Sequence, residues 1–194
     1  MNAERKIGIY GGTFNPVHLG HLLVAQAALE EIGLDKLFFV PAAQSPFKPE
    51  NEIAPAQIRL QLLRLALAGK NHFEIDAQEI QRGGISYTVD TLRDYKKIFP
   101  RAEIFFLIGA DNISKLNEWR EANELAALAT FVAVPRPGEI VSEFPKPFRG
   151  KILKGFPLEI SSSQIRARVK ANLPVENLVP PFVSDAIRAA KIYL

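Results

Sequence analysis

The 194-residue chain is 47% hydrophobic and 23% charged, an ordinary balance for one globular domain with a sizeable core. It has no cysteine, which excludes a disulfide framework, a thiolate nucleophile and any cysteine-based metal or cluster site. A net charge of +3 suits an anionic small molecule and is too weak to argue for nucleic acid.

The elements follow in chain order. Residues 6–10 read as a short buried strand closed by Gly11-Gly12. Leu22, Ala25, Leu29 and Ile32 recur at helical spacing, and Gly33 ends the run. Residues 36–41 form a second strand, stopped by Pro41, and the proline-bearing stretch 42–54 is a loop. A helix is expected over 58–69, a strand over 72–80, and a second helix over 88–99. EIFFLIG (103–109) is the clearest buried strand; a helix closes at 129 and a strand follows over 130–135. Residues 136–150 read as loop, and helices are expected over 161–171 and 181–194. Strands alternating with helices predict one α/β domain over residues 1–194, a Rossmann-like open parallel sheet with helices on both faces. The expected setting is cytoplasmic. The apolar run after MNAERK is too short for a signal peptide, and no stretch approaches the roughly 18 apolar residues of a membrane span. No nucleic-acid or membrane partner is expected, and the oligomeric state is not readable.

GGTFNPVHLGHL (11–22) follows the first strand, and GADN (109–112) follows the strongest one. In an open parallel sheet, both belong on the ligand-binding edge. The Walker A pattern and G-x-G-x-x-G are both absent, yet the physics they exploit remains. Gly11 and Gly12 let the backbone approach a ligand, and the helix that follows offers free amides and a positive dipole end. His18 and His21 are three residues apart near that helix start, so both can address one phosphate group. The plain alternative is that they cap and pack the helix. A zinc site lacks a third ligand nearby in sequence. Ser161-Ser162-Ser163-Gln164-Ile165-Arg166 forms a second anion site: Ser161-x-x-Gln164 fits a capping box, and Arg166 supplies a charged fork. Here the alternative is a capped helix with a surface arginine. Asp111 can accept hydroxyl donors or hold a turn. The single tryptophan, Trp119, can stack on a flat or cationic ring or sit in the core. His72 lies outside every motif.

G-G-T-F-x-P-x-H-x-G-H resembles the signature of the HxGH nucleotidyltransferases. With SPFKP (45–49), SYTVDTL (86–92), FLIGADN (106–112), NEW (117–119), RPG (136–138) and ISSSQIR (160–166), the chain most resembles the bacterial nicotinate-nucleotide adenylyltransferases. The resemblance implies transfer of AMP from ATP to nicotinate mononucleotide in NAD biosynthesis, by in-line displacement that releases pyrophosphate and forms deamido-NAD. It implies His18, His21 and Arg166 as catalytic residues. For ATP it implies Gly11, Gly12, Thr13, Phe14, Gly109, Asp111, Arg136, Ile160, Ser161, Ser162 and Ser163 besides these three. For the acceptor it implies Lys48, Thr88, Trp119 and Arg120. Mg²⁺ is expected on the ATP phosphates, with no metal site belonging to the chain. A phosphate beside His18 or His21 is expected to favour a charged imidazole. Three positions depart from the family pattern: Phe47 stands where a histidine is common, Arg120 where tyrosine is frequent, and Asn15 where aspartate is frequent. The alternatives are a sister adenylyltransferase with nicotinamide mononucleotide or phosphopantetheine as acceptor, and a nucleotide sensor without catalysis.

Overall fold

Strands that are apolar on both faces need helices above and below them. The computed structural model describes residues 5–46, 53–139 and 141–194. Its strands are β1 (Lys6–Gly12), β2 (Lys36–Pro41), β3 (Phe73–Ile75), β4 (Glu103–Gly109), β5 (Thr130–Val134) and β6 (Gly150–Ile152). All neighbours pair in parallel, in the order β3-β2-β1-β4-β5-β6. The expected open parallel sheet is thus present, with the order reversing between β1 and β4.

The helices are α1 (Leu19–Ile32), α2 (Ala56–Leu67), α3 (Gln78–Arg82), α4 (Thr88–Ile98), α5 (Ala122–Leu128), α6 (Ser162–Lys170) and α7 (Pro181–Ala189). The two-residue period of β4 sorts them. Phe105 and Leu107 pack with residues of α1, α2, α6 and α7, whereas Ile104, Phe106 and Ile108 pack with α4, α5 and a 3-10 helix, Ala110–Glu118. Helix ends follow local chemistry. Gly33 closes α1 at φ 71°, and its N–H donates to the Leu29 carbonyl. Pro181 opens α7, where a missing N–H does no harm.

Five expectations are revised. β1 runs on through Gly11-Gly12, whose backbone pairs with Val40 and Pro41 of β2. The strand expected over 72–80 is only three residues long, and α3 follows it; Asp76 ends the strand by accepting the Gln78 N–H at 2.9 Å. The 3-10 helix after β4 and the edge strand β6 were not expected. The last helix stops at Ala189, and Ile192 and Tyr193 fold back onto the core. No helix among the described residues is long and apolar enough to cross a membrane.

Candidate active site

The C-terminal ends of β1 and β4 open into one cleft of about 1120 Å³ at the point where the strand order reverses. Gly11, Gly12 and Thr13 line it, while the Phe14 side chain is buried beneath, at 1% exposure. A side chain on either glycine would crowd an aromatic ring: a Cβ at Gly11 would lie 3.1 Å from Phe106, and one at Gly12 3.2 Å from Phe14. The glycines thus sit tightly against the loop's own core, where a methyl group would need each ring to give by a few tenths of an ångström, quite apart from any ligand. Phe14 adopts φ 46° and stands edge-on to Tyr10, with ring centroids 5.5 Å apart. Its expected place at the ATP can only be through its backbone.

His18 is the N-cap of α1, with extended backbone at φ −146°. The His21 Nδ1 accepts the His18 backbone N–H at 3.2 Å, so the second imidazole does cap the helix. Capping and ligand binding are compatible, because the cap uses only one nitrogen of His21. The two rings lie 3.7 Å apart, and both line the cleft. Gly20, between them, has a role the sequence reading missed: a Cβ there would lie 3.0 Å from His18 Cε1 and Nδ1. The glycine makes room for the His18 ring to lie flat over the first turn. His18 is 6% exposed, and its Nδ1 has no hydrogen-bond partner among the described residues. Burial, helped by the Arg136 charge, pushes its pKa down to about 4. The protein alone therefore holds this imidazole neutral at pH 7, opposite to the charged state expected beside phosphate.

The serine-led helix meets the histidines. Ser161 caps α6 as expected: its Oγ accepts the Gln164 N–H at 3.2 Å, and Gln164 Oε1 accepts the Ser161 N–H at 2.8 Å. Ser162 Oγ donates to the Pro16 carbonyl at 2.9 Å, and Arg166 Nη1 donates to the Asn15 carbonyl at 3.0 Å. These bonds span 146 and 151 positions of sequence and join the two expected anion sites into one wall. Ile160, Ser161, Ser162, Ser163, Arg166 and Arg136 all line the same cleft.

Asp111 lines it from β4's side. A Cβ at Gly109 would lie 2.4 Å from Asp111 Oδ1, so the glycine makes room for that carboxylate, which also accepts from Asn112 Nδ2 at 3.2 Å. Thr88, Trp119 and Arg120 line the far end. Thr88 does not cap α4: Tyr87 occupies the cap position without a side-chain cap bond. Trp119 is half-buried, edge-on to Phe106 and Phe131. The Arg120 guanidinium lies 4.5 Å from the Tyr87 ring centroid and pairs with Glu121 at 3.3 Å. Lys48 and Phe47 lie outside the described residues. His72 is exposed, and its Nδ1 is 3.5 Å from the Asp35 carbonyl.

Besides Gly20, sequence reasoning missed Asn15, Glu79 and Ser86 as lining residues. Glu79 is 7% exposed and accepts the Thr91 hydroxyl at 2.5 Å; burial raises its pKa against that bond. Nothing in the local pattern of Glu79 signals this. Its burial depends on the turn that leads into α4.

Comparison with known proteins agrees with this geometry. A family profile described as cytidylyltransferase-like matches residues 9–168. A relative from Opitutus terrae, named a probable nicotinate-nucleotide adenylyltransferase, is 41% identical and aligns over 97% of each chain. One of the same name from Bacillus licheniformis is 38% identical over 97% of this chain and 98% of its own. A solved structure of a Plasmodium falciparum nicotinic acid mononucleotide adenylyltransferase, complexed with NaAD, superposes with a TM-score of 0.81 over 98% of both chains. At 20% identity it shows the shared fold. Two imidazoles and a serine-led helix at the switch point of this sheet, in a chain aligned end to end with such relatives, place it in the cytidylyltransferase-like family, among the nicotinate-nucleotide adenylyltransferases.

Proposed function

We propose that the cleft binds ATP, as its Mg²⁺ complex, together with nicotinate mononucleotide. An oxygen of the acceptor's 5′-phosphate attacks the α-phosphorus of ATP. The bond to the bridging oxygen breaks, pyrophosphate leaves, and deamido-NAD forms. No covalent intermediate is needed. Catalysis is positioning together with neutralisation of the charge that builds on the α-phosphate and the leaving oxygen. His18 and His21 approach that charge from α1, and the α6 amides with Arg166 approach it from the other side. Mg²⁺ enters on the ATP phosphates, as part of the substrate complex.

The observation that carries this reading is the bonding of Ser162 and Arg166 to the Pro16 and Asn15 carbonyls, which makes both anion-binding ends one surface. The acceptor end draws on Thr88 at the uncapped start of α4, on the Trp119 indole and on Arg120, a set suited to an aromatic ring bearing a carboxylate. The cytoplasmic setting expected from the sequence belongs to the same proposal. The test is pyrophosphate release from MgATP with nicotinate mononucleotide, nicotinamide mononucleotide and phosphopantetheine in turn. Fastest turnover is expected with the first. Preference for another acceptor reassigns the chain to a sister reaction, and no release with any acceptor leaves only a sensor.

A further inference from the structure

Arg59 lies in α2 and is 1% exposed, on the face that also carries the buried Leu62, Leu63 and Ala66. Its fork is spent on backbone. Nη1 donates to the Thr13 carbonyl at 2.8 Å, Nη2 to the Ala43 carbonyl at 3.1 Å and Nε to the Ala54 carbonyl at 2.9 Å. Burying a cation costs several kcal/mol, and these neutral acceptors offset only part of that. Burial accordingly lowers the Arg59 pKa from the usual guanidinium value. A leucine in this helix face would avoid the penalty, so the fork must serve something besides core packing.

The bond to Thr13 shows what it serves. The Thr13–Phe14 peptide is trans, because the cis bonds among the described residues are Asn15-Pro16 and Lys146-Pro147. In a trans peptide the C=O and the following N–H point in opposite directions. With the Thr13 oxygen drawn down to the buried Arg59, the Phe14 N–H is turned the other way. Thr13 itself lines the cleft. Phe14 also carries φ 46°, a left-handed conformation that costs a bulky residue on the order of 1–3 kcal/mol and persists only where surrounding contacts hold it. The loop is held on its other flank as well. The Asn15 carbonyl accepts from Arg166, and Asn15 Oδ1 accepts the Ala54 N–H at 3.1 Å.

We propose that Arg59 is a positioning residue for adenylyl transfer: it turns the Thr13 carbonyl away from the cleft, so that the Phe14 amide of the same peptide faces the polyphosphate. This rests on the nucleotide-binding reading above. Without the clamp, the peptide is free to flip and present a carbonyl oxygen to an anion. The charge acts through the peptide too, since a cation on the carbonyl polarises the unit and strengthens its N–H as a donor.

Arg59→Met keeps the bulk and removes the fork; Arg59→Lys keeps the charge and part of the donor set. Each is compared with the parent at a temperature where circular dichroism shows it folded. The expected result is a kcat about 100-fold lower in Arg59→Met with ATP KM changed less than about threefold, and partial recovery in Arg59→Lys. A merely structural arginine would lower Tm and leave kcat alone. A folded variant whose kcat stays within about threefold of the parent, whatever its Tm, overturns the proposal. The unaltered protein supplies a second reading should both variants fail to fold. On addition of α,β-methylene-ATP, the Phe14 amide signal is expected to shift in ¹H–¹⁵N spectra. Silence at Phe14 while other cleft amides respond overturns the role of Arg59. Silence at every cleft amide overturns the nucleotide reading itself.

Discussion

His18 carries the sharpest pH consequence. Its folded pKa of about 4 lies below the ordinary 6.5, so between those values the unfolded chain holds a proton that the folded protein refuses. The stability this residue contributes is complete above pH 6.5 and drains away as pH falls to about 4, amounting to about 3 kcal/mol. Urea unfolding of the parent and of His18→Gln at pH 7 and pH 4 measures it: the variant should lose about 3 kcal/mol less than the parent over that interval. Gly20→Ala separates chemistry from stability. The added methyl, 3.0 Å from the His18 ring, must displace the imidazole by a few tenths of an ångström. A kcat about tenfold lower is expected, with ΔG of unfolding changed by less than about 0.5 kcal/mol. For Arg120, the position over Tyr87 at the acceptor end predicts that Arg120→Ala narrows the preference for nicotinate over nicotinamide mononucleotide. An unchanged ratio of kcat/KM values removes that role.

At the scale of elements, α6 shows why much of the site was legible. Its capping box and serine run are local features, and local features survive into the fold. Ser161→Ala should lower stability by about 1 kcal/mol and Tm by about 2–4 °C, read by calorimetry. The same locality made β1, β2, β4, β5 and the histidine pair readable, since each announces itself by periodicity or by a cap. What escaped depends on contacts between elements or on unusual periods. Strand β6 is Gly-Lys-Ile at a sheet edge, with all three residues exposed, so no apolar alternation marks it. The 3-10 helix places its buried Ile113 and Leu116 three apart, the spacing of that tighter helix and easily passed over in a short stretch. Arg59 left a trace, because it shares the i, i+3, i+4, i+7 face with Leu62, Leu63 and Ala66. The identity of its acceptors needed the assembled fold. Gly109 reads in sequence as a place for a ligand and Gly20 carries no signal at all, whereas in the structure they make space for Asp111 and His18.

Taken whole, the molecule lines one cleft from Tyr10 to Arg166 and ties its two proposed anion-binding walls together across 146 positions of sequence. Hydrogen exchange of the unaltered protein with and without α,β-methylene-ATP should show protection arising together in residues 12–21 and 162–166. Protection confined to one segment contradicts a shared polyphosphate site. The long reach from Ser162 back to Pro16 also has a meaning for biosynthesis. Among the described residues all six strands are complete by Ile152, before the wall formed by α6 has been translated. A ribosome-bound or prematurely stopped chain ending short of Ser161 can carry all of those strands yet lacks the serine-led wall that meets the histidines. On the proposed reading, tight binding of ATP is acquired only once the chain has grown past Arg166.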